Sequence, residues 1–457
     1  MLINSLEKGA KIHFIGIGGV SMSGLAHIAL EMGYCISGSD INDGEMTKRL
    51  KNEGIEIFIG CDPQNVHGKD LVVYTAAIKK DNLELVEANK LNIHTMERSE
   101  FLGELTKLYS DTIGICGTHG KTTTTSMVSL SFIEAGLDPS IQVGANLKQI
   151  NGNYRVGKSN HFIIESCEYV ESFLKFHPKA VVLLNIEEDH LDYFKDINHI
   201  KSAFKKFVEL VPNDGVVVYN KDDDKCQEVI KNLNCKTVSF SINDSSADWI
   251  ATNIRLNPTG FYSYTATNGY KSIDIDLNVV GYHNIMNSLA TVAISDYYGI
   301  SEEAIKNSLR DFTGAERRFE YRGMINGARV FDDYAHHPTE IMATINSAKA
   351  LPHNKIWAIF QPHTYSRTKT LWDEFVKAFK EVDNLLLLDI YAAREKFDGE
   401  TTSEKLADAI NDYSQNCMYI SSFESCIEYL KENVKENDVV LTIGAGNVTS
   451  ISHELVK

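Results

Sequence analysis

The sequence predicts an α/β protein of three domains, and three observations carry that prediction. Short apolar runs alternate with longer stretches of helical spacing along most of the chain, the pattern of strands buried in parallel sheets. Glycine-rich turns follow two of those runs directly, as where a strand hands over to a helix at a phosphate site. The chain has 457 residues, enough for about three domains at roughly 150 residues each. Hydrophobic residues make up 43% and charged residues 23%, ordinary globular usage that excludes a disordered or fibrous chain.

The first unit opens with KIHFIGI (11–17) and a helix to about residue 32. A second run near 34–37 ends in Gly38-Ser39-Asp40, and DLVVYTAAI (70–78) makes a third. A new unit starts with DTIGIC (111–116) and a helix to about 135. HFIIE (161–165), AVVLLNI (180–186) and GVVVYN (215–220) suit buried parallel strands. Residues 248–281 alternate between turns, which predicts an antiparallel meander, and a helix follows over 283–298. From 328 the alternation resumes: ARVFDDY and TEIMATINSAKA, KIWAIFQ and a helix over 369–380, then LLLLDI, CMYI and VVLTIG. These signals place domains at 1–108, 109–316 and 317–457.

Asp and Glu outnumber Lys and Arg 62 to 45, a formal net charge of −17. So acidic a chain is not expected to grip nucleic acid or anionic lipid, although one positive pocket for a phosphorylated metabolite is compatible with it. No apolar run approaches the roughly 20 residues of a membrane helix. The opening MLINSLEKGAKIHFIGIGGV leads into a strand and lacks the marks of a signal peptide. A cytoplasmic protein without membrane insertion is expected. The eight cysteines form no CxxC, so free buried thiols are expected, not a zinc site.

Two loops point to nucleotides. Gly16-Ile17-Gly18-Gly19-Val20-Ser21 follows the first strand and opens a helix, with Asp40 ending the second strand next to Ser39. Such glycines let a diphosphate approach the backbone at a helix N-terminus, and the acid is placed for a ribose. Ser21 stands where the third glycine of GxGxxG is usual. The motif does not choose between NAD and a UDP-sugar. Gly117-Thr118-His119-Gly120-Lys121-Thr122-Thr123 is the second loop. Its N–H groups can cradle phosphates, Lys121 reaches the terminal phosphates, and the Thr122 hydroxyl suits Mg²⁺. Ile115 occupies the first glycine position of GxxxxGK[ST], so the loop is a variant of that motif.

Other residues leave strands at the carboxyl edge, where open α/β sheets bind ligands. Glu165 ends HFIIE and His190 follows AVVLLNI. With Thr122 they form a Mg²⁺ candidate, with Glu168 and Asp192 as reserves. Asn284 and Asn287 share a helix face. Arg317 and Arg318 stand at the second domain boundary, and Asp333, Tyr334, His336, His363 and Arg367 lie in two strings after strands, where Arg367 can take a small carboxylate.

The order GIGGVSMSG, GTHGKTTT, NIEEDHLD, GYHNIMN, GAERRFE, DDYAHHPTE, FQPHTYSRT resembles the Mur ligases, and within them the alanine-adding group, over residues 11 to about 450. The resemblance implies a Rossmann-like N-terminal domain holding UDP, a central P-loop ATPase domain, and a Rossmann-like C-terminal domain that closes. It implies ATP and Mg²⁺, with UDP-N-acetylmuramate and L-alanine as substrates, in a monomer or weak homodimer. Residues 117–123 then bind ATP with Asn287, Arg318 and Asp333. Gly16, Gly18, Gly19, Val20, Ser21, Ser39 and Asp40 take the UDP-sugar, and Thr122, Glu165 and His190 the metal. Tyr334, His336, His363 and Arg367 surround alanine, with Lys121, Glu165, His190 and His336 catalytic. His190 and His336 are both possible bases for the amine. Where many members carry an EADESD-like string, this chain reads ESCEYV from Glu165 to Val170. A ligase adding another amino acid, an NAD-dependent dehydrogenase (from GxGxxS and Asp40 alone) and a nucleotide-binding regulator remain as rivals.

Overall fold

A computed structural model describes residues 6–75, 78–191, 193–258, 260–393 and 395–457. The chain forms two compact units. One takes the chain up to Ile186 with Lys201–Ser239 and Tyr297–Ile300; the other takes Glu187–Ile200, Phe240–Asp296 and Ser301–Lys457.

In the first unit, β1 (Lys11–Ile15), β2 (Cys35–Asp40), β3 (Glu56–Ile59), β4 (Leu71–Tyr74) and β5 (His94–Glu97) form a parallel sheet in the order β3-β2-β1-β4-β5. The order reverses at β1, so a crevice opens beyond its carboxyl end, where Gly16 begins. Ile12, Phe14 and Ile15 are fully or almost fully buried, as expected of a strand covered on both faces. The run expected over 70–78 is a strand only to Tyr74, and Ala76 and Ala77 lie outside the described residues.

The same unit carries β6 (Asp111–Cys116), β7 (Ser140–Leu147), β8 (Gly152–Arg155), β9 (His161–Glu165), β10 (Ala180–Leu183), β11 (Val216–Asn220) and the start of β12 (Lys236–Ser241). Their order is β12-β11-β10-β6-β9-β7-β8. The antiparallel hairpin of β7 and β8 was not legible in the sequence. AVVLLNI stops being a strand at Leu183; Leu184 N still donates to Cys116 O, and Asn185 after it bonds the phosphate loop.

In the second unit the expected meander is β13 (Trp249–Leu256), β14 (Phe261–Thr267) and β15 (Ser272–Val280), all antiparallel. Alternate residues of β15 are buried and exposed, which is the signature of a sheet wet on one face. Its other sheet has β16 (Glu320–Ile325), β17 (Ala328–Asp333), β18 (Ile356–Phe360), β19 (Asn384–Leu387), β20 (Cys417–Tyr419) and β21 (Val439–Ile443), ordered β16-β17-β21-β18-β19-β20. Only the edge strand β16 runs antiparallel. The helix expected over 369–380 is instead two, Tyr365–Thr370 and Trp372–Ala378. Leu371 leaves helical geometry between them (φ −104°, ψ 29°) and joins the core on that face of the sheet.

Candidate functional site

The phosphate loop is shaped by Asn185. Its Oδ1 accepts from His119 N at 2.7 Å, its Nδ2 donates to His119 O at 3.0 Å, and its carbonyl accepts from Thr118 N. Gly117 adopts φ 142°, and a Cβ there would sit 2.9 Å from Leu184 Cβ, so only glycine fits. Gly120 is left-handed and caps the helix Lys121–Glu134. Lys121 Nζ donates to Gly117 O (2.6 Å), Thr118 O (2.8 Å) and Glu168 Oε2 (3.1 Å). Burial alone would lower the ammonium's pKa; the Glu168 carboxylate reverses this and holds it above the ordinary lysine range.

Thr122 Oγ1 donates to Glu165 Oε1 at 3.1 Å, and Gly144 N donates to Glu165 Oε2 at 2.7 Å. Thr122 and Glu165 therefore meet, as expected of a metal pair. Glu168, a reserve ligand from the sequence, is the lysine's counter-ion. At the end of the ESCEYV string, Val170 and the following Glu171 take positive φ, 50° and 54°. For a β-branched residue that conformation is a true outlier, and such strain gathers at functional sites.

At the first loop, Gly18 N donates to Asp40 Oδ2 at 2.9 Å, and a Cβ on Gly18 would lie 2.8 Å from that oxygen. Ser39 is buried, and its hydroxyl donates to Glu84. Glu84 was missed by sequence reasoning. It also receives Asn65 Nδ2 at 2.7 Å and lies 3.7 Å from His13 Nε2, in a buried polar network beneath the sheet. Ser21, the departure from GxGxxG, accepts from Arg98 Nη1 (3.1 Å) and Gln142 Nε2 (3.0 Å), while Asn153 Nδ2 donates to Val20 O (2.8 Å). A glycine at position 21 would lose both of the hydroxyl's bonds.

In the second unit Arg367 is half-buried between two partners. Its Nη2 donates to Asp189 Oδ1 at 3.0 Å and its Nη1 faces His363 Nδ1 at 3.0 Å. A guanidinium has no acceptor, so His363 Nδ1 must be unprotonated and the ring neutral. His336 Nδ1 lies 3.0 Å from Tyr334 O. A carbonyl only accepts, so the proton sits on Nδ1 and the lone pair of the neutral ring on Nε2. Burial pushes both imidazoles down, His336 to about 4 and His363 to about 4, with Arg367 adding to each shift. Burial would raise the Asp189 carboxyl, but His190 and Arg367 hold it well below the usual range. Asp189 was missed by the sequence reading, although it adjoins His190 in EEDH. Asp192 lies outside the described residues. His190 belongs to this unit, with φ 53° and its Nε2 3.8 Å from Asp189 Oδ2.

Asp333 is buried and accepts from Phe319 N (2.8 Å) and Ala335 N (2.7 Å). Burial raises its carboxyl to about 6 against the pull of Arg318. Tyr334 lies under two guanidinium groups, Arg317 at 4.9 Å and Arg318 at 5.3 Å. Arg317, the neighbour of the expected Arg318, is committed to Asp332 (3.2 Å) and Gly444 O. Asn287 donates to Asn284 Oδ1 at 2.9 Å and both amides are buried. Thr364 (φ 66°, ψ 146°) holds a conformation ordinarily left to glycine while capping Arg367 N. Of eight positive-φ described residues that are neither Gly, Asn nor Asp, six (Val170, Glu171, His190, Arg317, Phe319, Thr364) belong to these candidate segments.

A strand, a glycine turn and a helix in this order are the form in which α/β enzymes bind phosphorylated nucleotides. The sequence model described as Mur ligase family, catalytic domain, matches residues 11–110. The Mur ligase middle domain matches 115–295, and the Mur ligase, glutamate ligase domain matches 317–446. The chain belongs to the Mur ligase family. It is 49% identical over 452 residues to the UDP-N-acetylmuramate–L-alanine ligase of Acetivibrio thermocellus, covering 99% of this chain and 96% of that one. The enzyme of the same name from Clostridium acetobutylicum is 50% identical over 454 residues, with 98% of each covered. Among solved structures, the UDP-N-acetylmuramate–alanine ligase of Thermotoga maritima superposes with a TM-score of 0.83 at 28% identity, and 98% of each chain is covered. A murein peptide ligase of Psychrobacter arcticus gives 0.73 at 25% identity with the same coverage.

Proposed function

We propose that the chain is an ATP-dependent, ADP-forming ligase that joins L-alanine to the lactyl carboxylate of UDP-N-acetylmuramate, a step in peptidoglycan precursor synthesis. The observation that carries the reading is the Lys121 ammonium, held by Glu168 at a helix N-terminus under a left-handed glycine. Full-length identity to ligases of that name selects the substrates. In this reading residues 1–108 take the UDP-sugar, 109–316 take ATP, and 317–457 take the amino acid and close the site.

A carboxylate repels nucleophiles and has no good leaving group. Its oxygen attacks the γ-phosphorus of ATP, ADP leaves, and an acyl phosphate forms. The alanine nitrogen then attacks the carbonyl carbon and phosphate departs. Lys121 neutralises phosphoryl charge, the largest contribution expected in such transfers. The oxygen set of Thr122 and Glu165 fits a hard cation, and the His190 imidazole can complete it; Mg²⁺ held there would supply charge neutralisation at the phosphates. Arg367, fixed by Asp189 and His363, offers its remaining N–H groups to alanine's carboxylate. His336 presents the Nε2 lone pair to the amine. No described helix is long and apolar enough to cross a membrane, and we place the enzyme in the cytoplasm as a monomer or weak homodimer.

The test is phosphate release from ATP and Mg²⁺ with UDP-N-acetylmuramate and a panel of amino acids, with products weighed by mass spectrometry. Release that needs both the UDP-sugar and L-alanine, with one alanine residue added to the UDP-sugar, is expected. Faster release with another amino acid would move the chain to a sibling ligase, and no ligation product would refute the reading.

A further inference from the structure

We propose that Gln142 is a positioning residue that couples the UDP-sugar loop to the catalytic carboxylate Glu165 through strand β7; this rests on the reading of both loops given above. Gln142 and Gly144 are two residues apart on β7, so they share a face of the strand. Gln142 Nε2 donates to Ser21 Oγ at 3.0 Å, in the first turn of the helix whose N-terminus faces the diphosphate crevice. Gly144 N donates to Glu165 Oε2 at 2.7 Å, and Glu165 Oε1 accepts from Thr122 at 3.1 Å. β7 is locked to β9 in parallel register, Gln142 opposite Ile164, which brings Glu165 beside Gly144. Hydrogen bonds from Ser21 to Gln142 and from Gly144 through Glu165 to Thr122 are thus joined by two residues of the β7 backbone.

A second observation marks this contact as one poised to change. Gln142 Oε1 and Asn153 Oδ1 are buried without a hydrogen-bond partner. Both belong to the β7–β8 hairpin, and both amides spend their N–H on the Val20–Ser21 turn. Buried acceptors are almost always paired in settled structure. Two unpaired ones at a single contact leave the hairpin a gain to collect when the turn moves. A diphosphate drawing the turn's N–H groups onto itself moves Ser21, and Gln142 follows. Through β7 the Gly144 N–H then shifts the Glu165 carboxylate that it holds against Thr122.

The experiment measures binding of Mg²⁺ with β,γ-imido-ATP by calorimetry, with and without saturating UDP-N-acetylmuramate. In the unaltered enzyme the UDP-sugar is expected to change the imido-ATP affinity by about fivefold or more, the lower end of ordinary coupling between sites. In Gln142→Leu that ratio falls to about one, while imido-ATP affinity without UDP-sugar stays within about twofold. Gln142→Ala removes the same bond without adding a bulky apolar group and abolishes the ratio too, and it carries the test alone if Gln142→Leu fails to fold. A ratio preserved in a folded variant, or a ratio of one in the unaltered enzyme when both ligands bind, overturns the coupling and leaves the functional reading standing. Failure of the unaltered enzyme to bind the UDP-sugar overturns both.

Discussion

Lys121 and Glu168 form an ion pair at 3.1 Å in which the carboxylate side chain is only 3% exposed. With Gly117 O and Thr118 O the pair satisfies all three ammonium donors, so the loop is held closed around its own lysine. Arriving phosphates must take that ammonium over. Lys121→Ala should abolish turnover and leave UDP-sugar binding nearly intact. It should also destabilise the fold, because removing one partner of a buried pair costs about 3–5 kcal/mol. Urea unfolding checks the second part: adding Glu168→Gln to Lys121→Ala should restore much of the loss. A variant keeping half the original kcat would remove Lys121 from the chemistry.

Glu165→Ala and His190→Ala should each weaken Mg²⁺ dependence and lower kcat by roughly ten- to a thousand-fold, the loss of one to several kcal/mol of transition-state stabilisation. Glu165→Ala should be the more severe, since Thr122 Oγ1 and Gly144 N both lose their acceptor. Mg²⁺ titrations that overlay those of the parent enzyme would move the metal elsewhere.

Much of this was legible in the sequence, for a physical reason. Buried parallel strands are short apolar runs, and a phosphate loop must sit between such a run and a helix, so β1, β6 and their glycine turns announce themselves. The meander was legible because one wet face forces alternation on β15. Partners supplied from far along the chain were not. Asn185 shapes a loop 66 residues away, and Glu84 binds Ser39 across 45 residues. Asp189 reaches Arg367 across 178. Ser21 looked like a lost glycine until Gln142 and Arg98 gave its hydroxyl a purpose. The divided helix at Leu371 escaped because periodicity shows which side chains are buried, not where the backbone yields to bury them.

The buried imidazoles set an acid-side stability slope. His336 and His363 are each pushed to about 4, below the ordinary value of 6.5. Between pH 6.5 and 4 the unfolded chain binds protons that these folded rings refuse, so both contribute stability that is lost as pH falls through this window. Asp333 acts in the opposite sense. Raised from 3.8 to about 6, its contribution is present below 3.8 and lost as pH rises through 6. Two groups oppose one, so stability should rise from pH 4 to 6.5. His363→Gln should flatten that rise and Asp333→Asn should steepen it, read from urea midpoints at each pH. Unchanged slopes in both variants would mean that these groups titrate normally in the fold.

The last prediction concerns how alanine is chosen. Arg367 is 12% exposed at the side chain and Asp189 9%, so their contact is largely shielded from water and is not a solvated surface pair worth about 0–1 kcal/mol. Two guanidinium nitrogens are already engaged, Nη2 by Asp189 and Nη1 by His363. The planar fork still has N–H groups left for a carboxylate, held in a fixed plane by those two partners. A lysine is a point charge, and drawn onto Asp189 it would leave His363 Nδ1 without its donor and offer no fork to the substrate. Arg367→Lys should therefore raise the alanine KM more than tenfold, about 1.4 kcal/mol or more, with the ATP KM little changed. Asp189→Asn should shift the alanine KM in the same direction, because the guanidinium loses the charge that fixes its plane. Steady-state kinetics with alanine varied at saturating ATP and UDP-sugar decides the matter. An unchanged alanine KM in Arg367→Lys would pass the carboxylate to another donor. His363 is then the first to test: with Nδ1 accepting from Arg367, its neutral ring carries the proton on Nε2 and can donate to a carboxylate.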